Sequence, residues 1–302
     1  MLRLNKMILL CYLFQTVFFL TMAFSQNVDP YDDFDDESED TLAVYTKIVT
    51  DTLTPDIVNQ AFAPGEFLVF DVKYGIIKAG TATMQIRDMV RYKGKNAYHI
   101  QTTAHSAKAF NVFYPVRDTV YTYLDSKKFH SLKFAKKLRE GRYYFDLNAE
   151  YSQKDGKVFV EKIRYYDSEA TKIKKHDSLV VDIPYGVLDV LASFYKIRVE
   201  NLEVGKAIYF TNHDNKKIYD LKVNVLKKET IRVPAGKFKC IKLEPRLKGD
   251  AIFKQKGRLW VWVTDDQYKI PVKMSSKVAV GSITTNLSEI KNGPDVIPAR
   301  IK

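Results

Sequence analysis

Cysteine is scarce in this chain of 302 residues, which contains only Cys11 and Cys240. Cys11 lies inside an N-terminal apolar run that a signal peptidase would remove, so the mature chain keeps one cysteine. A single cysteine forms no internal disulfide, which excludes a disulfide framework. A folded region of more than about 200 residues needs none, because it buries enough apolar surface by itself.

Histidine is also sparse, and none of the five histidines has a His or Cys partner at metal-ligand spacing. His99 and His105 lie six residues apart, about 20 Å along a strand, which is too far to share one metal ion. The sequence has no G-x-S-x-G motif and no glycine-rich phosphate loop. We therefore predict no metal, no cofactor and no catalytic residue. An enzymatic activity is left open but is not favoured.

Long apolar runs are confined to the N terminus. Two basic residues precede an apolar run over residues 7–20, and the small residues Ala23 and Ser25 follow it. This order is typical of a secretory signal peptide, here residues 1–25 with cleavage after Ser25. A spanning helix needs about 20 apolar residues, and no later stretch reaches that length. The sequence predicts an exported protein that does not span the membrane.

Charge is distributed unevenly along the chain. Residues 26–40 contain eight acidic residues and no basic residue, although the whole chain has a formal net charge of +12. Residues 26–61 lack hydrophobic periodicity and are predicted to be a disordered acidic arm. The basic remainder favours anionic glycans, lipid headgroups or acidic partners, and export argues against nucleic acid. Lysines that keep sheet edges soluble explain the same charge equally well.

Apolar and polar residues alternate with a period of two through most of the chain. This alternation predicts an all-β domain over residues 62–290, followed by a loose C-terminal tail at 291–302. The clearest alternating segments are residues 68–74, 81–86, 98–102, 143–150, 158–166 and 219–225. Two further hairpins are predicted within residues 229–274, one of them closed by Pro234 and Gly236. So many strands are expected to form a curved antiparallel sheet, either open or closed into a barrel-like shape.

One segment departs from the β pattern. Residues 187–196 place Leu188, Leu191 and Tyr195 at helical spacing and predict a helix of about three turns. We expect this helix to pack across one face of the sheet. A two-lobed arrangement, with the helix between the lobes, is the alternative.

The strand at residues 259–263 is apolar on both faces and should therefore be covered on both sides. Trp260 and Trp262 share one of these faces. They either pack beneath the helix or line a cavity inside the curved sheet, and the cavity is favoured. In a cavity with a lysine-rich rim, the indoles would hold acyl chains or sugar faces. Trp260 and Trp262 are thus the candidate ligand-binding residues, with ordinary core packing as the competing interpretation.

Four segments together resemble one known family. They are P-G-E-F-L-V-F-D-V-K-Y-G…A-G at 64–80, residues 189–198, V-P-A-G-K-F-K-C at 233–240 and L-W-V-W-V-T-D-D-Q-Y-K-I-P-V at 259–272. They resemble an exported family of Gram-negative bacteria known as domain of unknown function 3108, over about residues 62–290. The resemblance implies a β-rich protein of the periplasm or outer membrane. The family has no established activity, so the resemblance supplies no catalytic residues.

Three functions remain open on the sequence. The favoured one is a non-catalytic cell-envelope protein that binds an amphipathic or anionic molecule, such as a lipid or glycan. The second is a hydrolase of an envelope polymer, with carboxylates drawn from Asp71, Asp118, Asp265 and Asp266. The adjacent Asp265 and Asp266 are explained more simply as turn formers. The third is a structural module recruited by a protein partner through the acidic arm.

Overall fold

A computed structural model describes residues 55–247, 258–277 and 282–301 of the chain. The predicted signal peptide and most of the predicted acidic arm lie outside these residues. The described residues form fifteen strands and two helices. The helices are α1 (Lys108–Asn111) and α2 (Val190–Val199). The strands are β1 (Phe67–Tyr74), β2 (Ile77–Tyr92), β3 (Lys95–Ser106), β4 (Arg117–Asp125), β5 (Ser131–Glu140), β6 (Tyr143–Ser152), β7 (Lys157–Tyr165), β8 (Ile173–Asp182), β9 (Ala207–Asp214), β10 (Lys217–Val233), β11 (Gly236–Leu247), β12 (Leu259–Thr264), β13 (Pro271–Lys277), β14 (Ser282–Lys291) and β15 (Arg300–Ile301).

All the strands belong to one antiparallel sheet with the order β8-β7-β6-β5-β4-β3-β2-β1-β14-β13-β12-β11-β10-β9, and β15 pairs with β11. The prediction of an all-β fold with a curved antiparallel sheet and one packed helix is confirmed. The sheet is open rather than closed. Because β1 pairs with both β2 and β14, the two halves of the chain form one continuous sheet and not two lobes. The predicted β10–β11 and β12–β13 hairpins are both present.

The inner face of the sheet carries α2 and most of the apolar core. In β1 the inner residues Leu68, Phe70 and Val72 are buried, and they alternate with partly exposed residues of the outer face. On β4, Thr122 also points inward, because its hydroxyl donates a 2.7 Å hydrogen bond to the Asp189 carboxylate at the start of α2. The period-two pattern of the sequence therefore arises because alternate residues of each strand point to the core and to the surface.

A short extended segment brings the β9 edge of the sheet towards β5. The backbone N–H of Leu188 donates to the Thr211 carbonyl, and the N–H of His213 donates to the Leu188 carbonyl. One residue earlier, the Val187 carbonyl accepts from the N–H of Ser131 at the start of β5. These bonds curl the sheet around α2 and use backbone groups of the β9 edge.

Helix α2 begins at Val190, three residues later than the helical spacing predicts. Asp189 is its N-cap, since the carboxylate accepts a 2.8 Å hydrogen bond from the backbone N–H of Ala192. The same carboxylate accepts from Thr122 and, at 2.5 Å, from Ser131. Asp189 therefore ends the extended segment and starts the helix, and it joins both to the sheet.

The last turn of α2 carries a buried ion pair. The Arg198 guanidinium donates to both carboxylate oxygens of Glu66, at 2.5 and 2.8 Å, and both side chains are almost fully buried. Two further N–H groups of Arg198 donate to the carbonyls of Ala61 and Tyr268. Arg198 thus joins α2 to the segment before β1 and to the β12–β13 turn.

The chain termini of the domain are better ordered than the sequence predicts. Ala61 and Phe62 are buried, and the N–H of Ile57 donates to the Lys127 carbonyl, so the end of the predicted arm packs on the domain. The expected loose tail is wrong at its far end, because Arg300 and Ile301 pair with β11. A short pairing of this kind has no apolar alternation by which the sequence could reveal it.

We expect the stability to respond to the protonation of Asp189. Burial raises the pKa of this carboxyl to about 6, with the hydrogen bonds from Ser131 and Thr122 acting in the opposite direction. The folded state therefore binds this proton more tightly than the unfolded state, where the pKa is 3.8. Its contribution to stability is fully present below that value and is lost as the pH rises through about 6.

Asp189→Asn removes this titration. The unfolding free energy of the wild type, relative to that of the variant, should fall by about 2 kcal/mol between pH 4 and pH 7. Urea unfolding followed by circular dichroism at several pH values measures this difference. A difference that does not change with pH would show that Asp189 has an ordinary pKa.

We expect Arg198→Met to destabilise the fold by about 3–5 kcal/mol, because it leaves the Glu66 carboxylate buried without its cation. The double variant Arg198→Met/Glu66→Gln should recover part of this loss. Lys157→Met is the matched control, since Lys157 forms an exposed ion pair with Asp182, and it should change stability by less than about 1 kcal/mol. Equal effects of Arg198→Met and Lys157→Met in urea unfolding would contradict the structural role of the buried pair.

Candidate ligand-binding sites

The two tryptophans lie on the outer face of the sheet. Trp262 is directly opposite Lys242 of β11 and Lys273 of β13, whereas Val261 is opposite Leu243 and Met274. Directly opposed residues of an antiparallel ladder point to the same face. Val261, Leu243 and Met274 belong to the buried core. The tryptophans therefore lie on the face of β12 opposite to that of Val261 and share it with the lysines, and Trp262 is itself buried in the apolar core.

The competing expectation of core packing fits Trp262, which is buried in the apolar core, and Trp260 packs against that core. The ligand-binding role of the two residues stays a prediction. Period-two alternation shows that Trp260 and Trp262 share a face, but β12 is apolar on both faces and so gives no sign of which one is inside. The ladder partners decide it.

The tryptophans form a layer with cationic side chains on this outer face. The Lys242 ammonium lies 4.9 Å from the Trp260 ring centroid and 4.8 Å from that of Trp262, and Lys273 lies 5.2 Å from Trp262. Trp262 is buried, and its indole N–H donates a 2.8 Å hydrogen bond to Glu229. Trp260 is half-buried. Of the two indoles, Trp260 is therefore the one that a ligand can reach without displacing its neighbours.

A basic pocket lies at the end of the sheet where β2 turns into β3 and β4 turns into β5. It has a volume of about 290 Å³ and is lined by four cationic side chains and one acidic side chain. The cations are Arg91, Lys95, Lys127 and Lys128, and the acid is Asp125. No local sequence pattern indicates this pocket, because its cations come from two turns about 30 residues apart.

Asp125 fixes the shape of the pocket rather than neutralising it. Its carboxylate accepts from the backbone N–H groups of Lys127 and Lys128, at 2.8 and 2.9 Å. It also lies 3.4 Å from both the Lys95 ammonium and the His130 imidazole. Burial alone would raise the pKa of Asp125, but these partners outweigh it and hold the pKa well below its usual range. The carboxylate is therefore ionised and fully engaged, and four cations line the space around it.

The carboxylates considered for hydrolysis are dispersed. Asp71 pairs with Lys78, and Asp265 pairs with Lys228 at 2.9 Å. Asp266 accepts hydrogen bonds from the Thr264 hydroxyl and from backbone N–H groups of its own turn, as expected of a turn-forming aspartate. None of these three faces a second carboxylate across a cleft within the described residues.

Asp118 does have a carboxyl partner. It lies beside Glu140, and both side chains are buried, with exposed fractions of 4% and 3%. Burial, followed by the neighbouring Glu140, raises the pKa of Asp118 well above its ordinary value. A glycosidase needs its two carboxyl groups open to the substrate, on either side of the scissile bond. This pair is enclosed and suits a shared proton inside the sheet better than attack on a polymer.

The thiol of Cys240 is also enclosed. Cys240 is fully buried and unpaired, and burial raises the pKa of its thiol to about 12, with nearby carboxylates adding to the shift. The five histidines are separated, and no three His, Cys, Asp or Glu side chains gather as a metal-binding group in the described part of the chain. Neither described helix is long and apolar enough to cross a membrane.

We predict that Cys240 reacts slowly with thiol reagents in the native state, because it is buried and almost entirely protonated at neutral pH. Labelling should become complete in denaturant. The rate of native labelling, compared with that of a free thiol in solution, provides the measurement. Rapid native labelling would place the thiol in an exposed site.

By its fold, this protein is an open antiparallel sheet that curls around one helix. Its cationic sites lie at the surface, and its paired carboxyl groups are enclosed. The chain belongs to the family described as proteins of unknown function, DUF3108, whose profile matches residues 69–288. The predicted family resemblance is thereby confirmed. No curated protein is significantly similar to the chain.

Several solved structures are similar in fold at low sequence identity. A β-barrel-like DUF1849 protein of Brucella abortus has 12% identity and a TM-score of 0.49, over 77% of this chain and 99% of its own. A Bacteroides fragilis protein with a YmcC-like fold, proposed to be exported, has 9% identity and a TM-score of 0.34, over 79% and 100%. A protein of Parabacteroides distasonis proposed to be a lipoprotein has 12% identity and a TM-score of 0.26, over the same shares.

Proposed function

We propose that this protein is exported to the cell envelope of a Gram-negative bacterium, where it binds an anionic molecule without catalysing a reaction. Export rests on the N-terminal pattern of basic, apolar and small residues. The binding role rests on one observation, the convergence of Arg91, Lys95, Lys127 and Lys128 on one pocket. The ligand group that fits is a phosphate or carboxylate, carried by a lipid headgroup or by a glycan.

The pocket retains a positive field after its internal pairs are counted. Asp125 is held by backbone N–H groups as well as by Lys95, and Asp56 lies 2.9 Å from Lys128. Arg91 is exposed, and Lys127 is 3.9 Å from Asp56 and largely exposed. An anion entering the pocket would therefore meet two accessible cations directly, backed by two others.

The layer around Trp260 is a second candidate site, favoured by the position of Lys242 over both indoles. A cation held over an aromatic face leaves part of the ring open for a sugar face or an acyl chain. Trp262 is buried and serves this site through packing. The two candidate sites lie on different strands and can be tested independently.

The pocket is tested by calorimetric titration with short-chain phosphatidylglycerol, with inorganic phosphate and with a phosphorylated disaccharide. Arg91→Ala/Lys127→Ala should weaken binding of the anionic probes by about tenfold or more, since hydrogen bonds to charged groups contribute about 1.5–3 kcal/mol each. The lipid and the disaccharide distinguish the two sources of the anionic group.

Lys172→Ala/Lys174→Ala removes the same charge from an exposed region at the far edge of the sheet and should leave binding unchanged. Short-chain phosphatidylcholine should bind weakly to every variant. Equal loss in the two double variants would mean that only the net charge matters. If binding is instead lost in Trp260→Ala and kept in Tyr209→Ala, the control for an exposed aromatic, the ligand binds at the tryptophan layer and not in the pocket.

A further inference from the structure

The end of the sheet opposite the basic pocket carries an unusual group of exposed apolar residues. The turn between β1 and β2 contributes Ile76 and Ile77, and the connection between β3 and β4 contributes Val112 and Phe113. Gly80 of β2 pairs with Ser106 of β3, so both connections emerge at the same end of neighbouring strands. We call these four residues the apolar rim.

The members of the apolar rim are largely in solvent. Their exposed fractions are 95% for Ile76, 55% for Ile77, 80% for Val112 and 65% for Phe113. Single exposed apolar residues are ordinary, but four on two adjacent connections form a continuous apolar end. Exposure at this level is unfavourable in water and indicates a surface that is covered in use.

The exposed charged residues in the connections that form and flank the apolar rim are cationic. They are Lys108, Arg117 and Arg142, and Lys78 pairs with Asp71 on β1. The neighbouring carboxyl groups of Asp118 and Glu140 are buried. Two further acidic residues, Asp167 and Glu169, lie on the β7–β8 turn. An apolar tip surrounded by cations is complementary to an anionic lipid surface.

The β3–β4 connection is held in place rather than loose. The Ser106 hydroxyl donates to Asn111 and accepts from the N–H of Val116, and the N–H of Ala107 donates to the Ala79 carbonyl. These bonds fix both ends of the connection, and Val112 and Phe113 lie at its apex. Little ordering is therefore required when the apex enters another phase.

Tyr114 packs over the backbone of Gly141, in the turn between β5 and β6. Gly141 has a φ of +56°, and a Cβ at this position would overlap the Tyr114 ring. The β3–β4 connection therefore rests on the next turn of the sheet, which also brings Arg142 to the apolar rim. This arrangement matches a bilayer interface, where apolar groups enter the acyl chains, aromatic rings lie at the interface and cations contact the headgroups.

We propose that the apolar rim docks this protein onto an anionic lipid membrane, with Phe113, Val112 and Ile76 inserted among the lipids. This proposal shares with the proposed function only the export of the protein. It does not require the basic pocket, which lies at the opposite end of the sheet. The protein would then sit on the membrane with the pocket directed away from it.

The test is flotation of the exported protein with vesicles of phosphatidylethanolamine and phosphatidylglycerol. The wild type should float with these vesicles and much less with vesicles of phosphatidylcholine. Ile76→Ser/Phe113→Ser should reduce the partition coefficient by about tenfold or more, because two large apolar side chains lose their burial in lipid. Val58→Ser/Val296→Ser is the matched control, since both residues are strongly exposed elsewhere, and it should float like the wild type.

Arg91→Ala/Lys127→Ala distinguishes this proposal from the proposed function. If that variant loses flotation while Ile76→Ser/Phe113→Ser retains it, the membrane is bound through the pocket and the apolar rim is not the docking surface. Sedimentation of the wild type without lipid tests whether two copies of the chain associate. If the apolar rim instead joins two copies of the chain, Ile76→Ser/Phe113→Ser will convert a dimer to a monomer without changing flotation, and the proposal is overturned.

Discussion

The buried ion pair of Arg198 and Glu66 is the constraint on which the rest of the structure depends. Two charges without exposure to solvent remain stable only if every hydrogen-bonding group finds a partner. Arg198 makes four hydrogen bonds, two to the Glu66 carboxylate and one each to the Ala61 and Tyr268 carbonyls. These partners come from the segment before β1 and from the β12–β13 turn, which are more than 200 residues apart. The position of α2 is therefore fixed by a polar contact that allows little variation in geometry, and the sheet curls around it.

The other end of α2 is held by the same kind of interaction. Asp189 caps the helix and also accepts from Thr122 and Ser131, so the first turn is tied to β4 and β5. Buried polar contacts at both ends give the helix one register, whereas apolar packing alone would allow it to slide along the inner face. The cost is a carboxyl group with a raised pKa inside the sheet. The stability of the protein is thereby linked to pH in the acidic range.

Period-two alternation is sufficient to predict the sheet, because core and surface residues alternate in strands such as β1, turn residues predict two of its hairpins, and helical spacing predicts α2. It fails where the inner face is polar. β4 places Asp118 and Thr122 inward, so its pattern does not differ from that of a loop. It fails also for β8, the outermost strand, which has no buried residue and is only partly covered on one face. The helix begins later than its helical spacing predicts because Asp189 is the N-cap and not a helical residue, and an aspartate N-cap is a recognisable signal in the sequence. The orientation of Trp260 and Trp262 depends on ladder partners distant in the sequence, which no local pattern contains.

The features that differ from one end of the molecule to the other lie at its surface and not in its core. The interior is committed to holding one helix inside one curled sheet, and its titratable groups are enclosed, as Asp118 and Cys240 illustrate. The proposed binding sites are therefore in the turns and on the outer face. The two ends of the sheet differ in chemistry: one gathers cations around a pocket, and the other presents Ile76 and Phe113 among cations. In an antiparallel meander, every second turn falls at the same end, so residues that are distant in sequence are collected without any change to the core. This arrangement allows the turns to specify a ligand and a docking surface while the strands between them preserve the fold.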